Sequence, residues 1–169
     1  MNEAMLRPDC TRCAALCCVA LAFDRSELFA FDKPAGEACT HLGSNLRCTI
    51  HKDREKRGFG GCVRYDCVGA GQRVSEMFRG HDWREDRAVA AQMFEAFSLM
   101  RKVHDLLQLL CTAEKLPLTP EQERARNALE EELMPAEGWD LAALRTFNQG
   151  NLQQEVRAFL DTLKEHVRA

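Results

Sequence analysis

The sequence predicts a mainly α chain in which a small cysteine-rich, metal-bound module, residues 1–69, packs on an antiparallel helical bundle, residues 70–169. Three observations predict it. Eight of the nine cysteines fall between Cys10 and Cys67. Beyond that segment, apolar residues recur at helical spacing. The links between the periodic stretches are short, which makes neighbouring helices antiparallel.

A chain of 169 residues is long enough for one domain, or for one domain and a small module. Its 29% charged and 46% apolar residues are ordinary for a globular protein. A net charge of −3 gives no general attraction to nucleic acid or to an anionic membrane. No apolar run approaches the ~18 residues of a spanning helix. The most apolar early piece, Ala14 to Phe23, is preceded by Glu3, Arg7 and Asp9 and is followed by no small-residue cleavage site. The reading is therefore of a cytoplasmic chain without a secretory signal.

That placement decides how the cysteines are read. Disulfides belong to oxidising compartments. Nine is an odd number, and Cys17 and Cys18 are adjacent, where a disulfide would be strained but two thiolates can bind one ion or two neighbouring ones. Cys10, Cys13, Cys17 and Cys18 form C-x2-C-x3-C-C. Cys39 and Cys48 follow at a spacing of nine, and Cys62 and Cys67 close the segment. Thiolates a few residues apart converge on an ion without the chain travelling far. All eight are candidate metal ligands, with His41 and His51 as substitutes. Disulfide or redox pairs and unligated buried thiols are the alternatives.

Taken in order, Met1 to Asp9 is a short leader and Cys10 to Cys18 a tight ligand-bearing turn. Ala14 to Phe31 reads as either a helix or a strand beneath the site. Lys33-Pro34-Ala35-Gly36 is a breaker. Cys39 to Cys48 reads as a loop-rich excursion turning at Gly43-Ser44-Asn45. Gly58 to Gly61 lets the backbone approach something closely, plausibly the site itself. Gly69-Ala70-Gly71 marks the exit. Arg87 to Lys115 places Val89, Met93, Phe97, Met100, Val103, Leu107 and Leu110 on one face of a long helix, which Leu99, Leu106 and Leu109 broaden. Thr119-Pro120-Glu121-Gln122 carries the signature of a capped helix start. Asp140 to Phe147 reads as a short helix stopped near Gly150, and Asn151 as the cap of a last helix bearing Val156, Phe159, Leu160 and Leu163.

Thiolate-rich sites favour zinc, copper(I) or iron–sulfur clusters. Eight cysteines are enough for two all-thiolate zinc sites, so the expected cofactor is one or two zinc ions, with an iron–sulfur cluster as the alternative. A four-thiolate zinc centre carries about −2. Arg12, Arg47, Lys52, Arg54, Arg57 and Arg64 lie between the ligands, either to offset that charge or as a solvated basic loop.

The C-x2-C-x3-C-C opening, then Cys39-Thr-His-Leu, then Arg47-Cys48-Thr-Ile-His51-x2-Arg54 and a later cysteine, resembles the YkgJ-type CxxCxxCC family. The likeness covers Cys10 to Cys67, about 40% of the chain. It implies a zinc- or iron-chelating cysteine cluster of unassigned function. The chain departs from that pattern in three places. One extra residue separates Cys13 from Cys17, His51 stands where the family has Tyr, and a longer loop runs from Arg54 to Cys62. Cys62, Cys67 or both then take the last ligand place. The stretch from Gly69 to Arg84 also resembles segments of some pentapeptide-repeat proteins, but no such repeat occurs in this chain.

The remaining chemistry-bearing residues read as structural. His81 stands at a helix start, His104 beside the apolar stripe and His166 near a helix end where a cation suits the dipole. Cys111 reads as a small buried apolar residue, and Trp83 and Trp139 as packing residues. No metalloprotease, deaminase or phosphate-loop motif is present. The function read from the sequence is metal binding, structural or chelating, with a protein partner or metal hand-off in view. An iron–sulfur or thiol-redox protein is the second reading. An enzyme is the third and has no motif in its favour.

Overall fold

The structure, a computed structural model, describes residues 3–167. Among these the chain is mainly α. The helices are α1 (Leu16–Ala20), α2 (Gly60–Arg64), α3 (Ala70–Met77), α4 (Arg87–Ala113), α5 (Pro120–Leu133), α6 (Leu141–Gln149), α7 (Leu152–Thr162) and α8 (Lys164–Val167), with 3-10 turns at Glu3–Leu6 and Cys10–Arg12. Three isolated antiparallel bridges join Phe23 with Lys33, Ser26 with Phe29 and Leu42 with Cys48. No described helix is long and apolar enough to cross a membrane.

The residues gather into two compact units, Pro8–Phe97 and Met1–Arg7 with Ser98–Ala169. The boundary read from sequence, at residue 69, falls just before α3, a helix of the first unit.

In the first unit the run from Ala14 to Phe31 is neither one helix nor one strand. Leu16–Ala20 is helical, and the chain then pairs Phe23 with Lys33, each donating its N–H to the other's carbonyl at 3.0 and 2.7 Å. Leu16, Val19, Phe59, Val68, Val74, Met93 and Phe97 are buried and form the core. Phe23 stacks on Phe29 with ring centres 4.3 Å apart, and Phe31 and His41 meet the Phe59 ring at 5.0 and 5.1 Å. The excursion from Cys39 to Cys48 folds back as a tight hairpin-like turn. Gly43 N–H donates to Arg47 O at 2.9 Å and Thr49 N–H to His41 O at 2.9 Å.

In the second unit the stripe read from sequence is buried along α4. Met100, Val103, Leu107 and Leu110 are at most 1% exposed, and Leu133, Leu144, Phe147, Val156 and Leu163 complete the core. Each such side chain stabilises the fold by about 1.5–3 kcal/mol. Leu109 departs from the expectation and is 48% exposed, because it points away from that stripe. Thr119 caps α5 as its sequence predicts. Its Oγ1 accepts from Gln122 N–H at 3.2 Å while Gln122 Oε1 accepts from Thr119 N–H at 3.0 Å. Asp140 caps α6 through Ala143 N–H at 2.7 Å. Asn151 holds the first turn of α7 with its backbone carbonyl, which takes Gln154 N–H at 2.8 Å, and makes no side-chain cap. α7 packs on α5 and α6. Arg126 and Glu130, one turn apart on α5, form a buried ion pair.

Candidate functional site

The first unit carries all eight clustered cysteines, and all nine cysteines of the chain are free thiols. Cys10, Cys17, Cys18, Cys39, Cys48 and Cys62 line one cavity of about 420 Å³. His41, His51, Arg54 and Arg64 share its wall, and the apolar side is closed by Leu21, Phe23, Leu28, Phe29, Ile50 and Phe59. Cys13 and Cys67 stand against α3 instead. A methyl group placed on Gly71 would lie 2.7 Å from Cys13 Sγ and 3.7 Å from Cys67 Sγ. The sulfurs ring the space rather than meet at a point. Among the described residues, no three His, Cys, Asp or Glu side chains converge closely enough to hold one ion.

Short-range sequence builds this ring. α1 is one turn and a half, with Leu16 and Val19 fully buried, so Cys17 and Cys18 project from the remaining faces. Their sulfurs are 4.0 Å apart. Cys39 is tied to the pair by its N–H, which donates to Cys18 O at 2.9 Å. Cys48 sits at the bridge with Leu42. Among the described residues, three other than glycine have positive φ: Ala15 (61°), Leu46 (59°) and Val68 (51°). Each lies within two residues of a clustered cysteine. Such conformations cost about 1–3 kcal/mol each and persist where surroundings over-determine them, most often at functional sites.

The charges converge as well. The Cys17 thiol hydrogen-bonds to Cys18; that bond and burial push Cys17 far above the ordinary thiol range. The same bond, with the Lys33 and Arg54 cations, holds Cys18 down to about 7 despite its burial. Burial raises Cys10, Cys13 and Cys39, and the neighbouring Cys67 and Cys18 act on Cys10 in the same direction. Burial, then the charges of Cys18 and Cys39, takes Cys62 up to about 11. A thiol ring of this kind resists ionisation unless positive charge enters it.

Of the cations between the cysteines, Arg47 and Arg54 are structural ties. Arg47 donates to Thr11 O at 2.5 Å and Cys13 O at 3.2 Å. Arg54 donates to His51 O at 3.0 Å and Cys62 O at 2.9 Å. Arg12 lies 3.9 Å from Glu76. Lys52 and Arg57 are solvent-exposed, which is the solvated-loop alternative. His41 is held edge-on against Phe59 at the cavity wall.

Sequence reasoning passed over two groups of residues. The first is the segment after Cys67, α3 and the turn that follows it. Gln72 Oε1 accepts from Asp9 N–H at 2.9 Å, Ser75 Oγ accepts from Ala14 N–H at 2.8 Å, and Trp83 Nε1 donates to Ala14 O at 2.9 Å. These clamp the first cysteine loop. The signal was present, since Gly71 and Ser75 stand four apart directly after Cys67. The second is Lys33, read as part of a breaker and found 4% exposed. Burial lowers its pKa, and the charges of Cys39 and Cys18 act against that shift.

No family model matches the chain, and no solved structure matches it. Over 106 residues it is 48% identical to "Uncharacterized protein YybG" of Bacillus subtilis (strain 168). That span is 62% of this chain and 38% of the relative, so the chain is similar to a minor part of a longer protein.

Proposed function

We propose that this is a cytoplasmic metal-binding protein whose cysteine ring holds zinc as a structural or chelated ion. The first unit is then a metal-built module, carried with an antiparallel helical bundle. The observation that carries this reading is the single cavity lined by six cysteines, with two more held behind it at Gly71. The donors are soft and free of disulfides, as a reducing compartment requires. Cys17 and Cys18, 4.0 Å apart, are near the ~3.8 Å that two thiolates take around one zinc with bonds of about 2.3 Å. Bound zinc supplies the positive charge that makes the thiols ionise together, and its binding free energy supports a fold with strained turns. A protein partner or a metal hand-off follows as the role of such a module.

A second reading has its own observation. The sulfurs ring a cavity rather than converge, and a polynuclear iron–sulfur cluster takes ligands spread more widely than one ion does. One preparation separates the two. Protein purified without added metal is expected to contain one to two zinc ions per chain by elemental analysis and to be colourless. A brown protein with a visible band that bleaches on reduction selects the cluster, and protein without bound metal of either kind overturns the function.

A further inference from the structure

Lys33 is a buried cation that, among the described residues, makes no salt bridge to a carboxylate. It is 4% exposed. Its Nζ donates to Val19 O at 3.0 Å, Pro34 O at 3.0 Å and Glu37 O at 2.8 Å, which uses all three of its hydrogens. The ring of Phe23 covers it at 5.7 Å. Among the described residues no Asp or Glu forms an ion pair with it; Glu37 meets it through the backbone carbonyl, and its carboxylate acts on the ammonium less than the Cys39 and Cys18 charges do. A buried charge whose hydrogen bonds all go to neutral dipoles is expensive unless negative charge lies close by.

The anchors show where that charge is. Val19 follows Cys18, and Glu37 precedes Cys39 by two residues. Cys39 N–H bonds to Cys18 O, and Gly36 N–H bonds to Val19 O at 2.9 Å. The ammonium is thereby fixed between the two chain segments that present Cys18 and Cys39. We propose that Lys33 is a positioning residue of the cysteine ring, whose fixed cation offsets the thiolates of Cys18 and Cys39 and so lets the ring take its metal as an anionic thiolate complex. This inference rests on the metal-binding reading above. It adds that the complex is charged and that the fold carries a dedicated counter-cation for it. A simpler role exists, since a cation at the C-terminal end of α1 also suits the helix dipole.

Charge separates the two roles. Zinc affinity is measured on the full chain by competition with a fluorescent chelator, with circular dichroism as the check on folding. Lys33→Met is expected to weaken zinc about 10- to 100-fold, the usual effect of removing a partner that supports metal ligands. In a Cys39→Ala background, where one thiolate charge is gone, the same substitution is expected to cost several-fold less. Lys33→Arg, which keeps the charge, is expected to stay within a few-fold of the parent. An equal penalty for Lys33→Met in both backgrounds overturns the inference and leaves zinc binding standing. If Lys33→Met does not fold, Lys33→Arg decides, and a loss beyond about tenfold overturns it. A parent chain that binds no zinc is a different result and removes the metal-binding reading itself.

Discussion

Cys17 Sγ stands 4.0 Å from Cys18 Sγ across consecutive residues of α1, and the two thiols ionise unequally. Cys17 retains its proton, while Cys18 is held down to about 7 by that hydrogen bond and by Lys33 and Arg54. In metal-free protein at pH 7, Cys18 is therefore expected to alkylate with iodoacetamide roughly tenfold faster than Cys10, Cys13, Cys17, Cys39 and Cys62. Peptide mass mapping over time reads this directly. Equal labelling of these six contradicts it, and zinc is expected to protect the site.

The pH dependence of the metal-free fold has a worked sign. Cys18 is depressed from 9.0 to about 7, so its contribution is present above 9 and lost as pH falls through 7. Cys62 is raised from 9.0 to about 11, so its contribution is present below 9 and lost as pH rises through 11. Cys10, Cys13, Cys17 and Cys39 are raised as well, so their contributions are also lost as pH rises past 9, and the stability maximum falls between pH 7 and 9. Urea midpoints at pH 6, 8 and 11 test it, and a monotonic series would be the wrong shape.

Gly71 leaves no room for a side chain beside Cys13. Gly71→Ala is expected to destabilise the first unit by about 1–3 kcal/mol, as overpacking does, and to weaken zinc because Cys13 must move. Thermal melts with and without metal, set beside chelator competition, measure the two effects. Parent-like values in both would mean that α3 is not the back wall of the ring.

Arg54 bonds the backbone at His51 and Cys62, whereas Lys52 and Arg57 face solvent. Arg54→Ala is expected to weaken zinc by about tenfold or more. Lys52→Ala and Arg57→Ala are expected to match the parent in the same competition assay.

The second unit offers a contrast. Thr119→Ala removes half of a capping box and is expected to cost about 1 kcal/mol in denaturant unfolding. Its metal content should equal that of the parent.

What the sequence made legible followed local rules. The buried stripe of α4 and the Thr119 cap depend on spacings of three and four residues. Both were readable, although Leu109 shows that a stripe can be drawn too wide. The gathering of the six cavity-lining cysteines was foreshadowed by their spacing, but the way the chain brings them together was not. α1 is only five residues long because Leu21 turns extended and the Phe23–Lys33 pair takes over, and no periodicity announces a change that soon. Lys33 was illegible for a related reason. Its burial is created by carbonyls from residues 19, 34 and 37, and a Lys-Pro-Ala-Gly stretch looks alike whether it is buried or wet. The α3 clamp has no local signature of its partners, because Asp9 and Ala14 lie some sixty residues upstream.

Leu16 and Val19 show no exposed surface, and they flank Cys17 and Cys18 on the same short helix. The aim of two sulfurs is therefore set by two hydrocarbon side chains that never touch an ion. Trimming Val19 would swing both donors together, and a screen that watched only the cysteines would miss why the ring had lost its geometry.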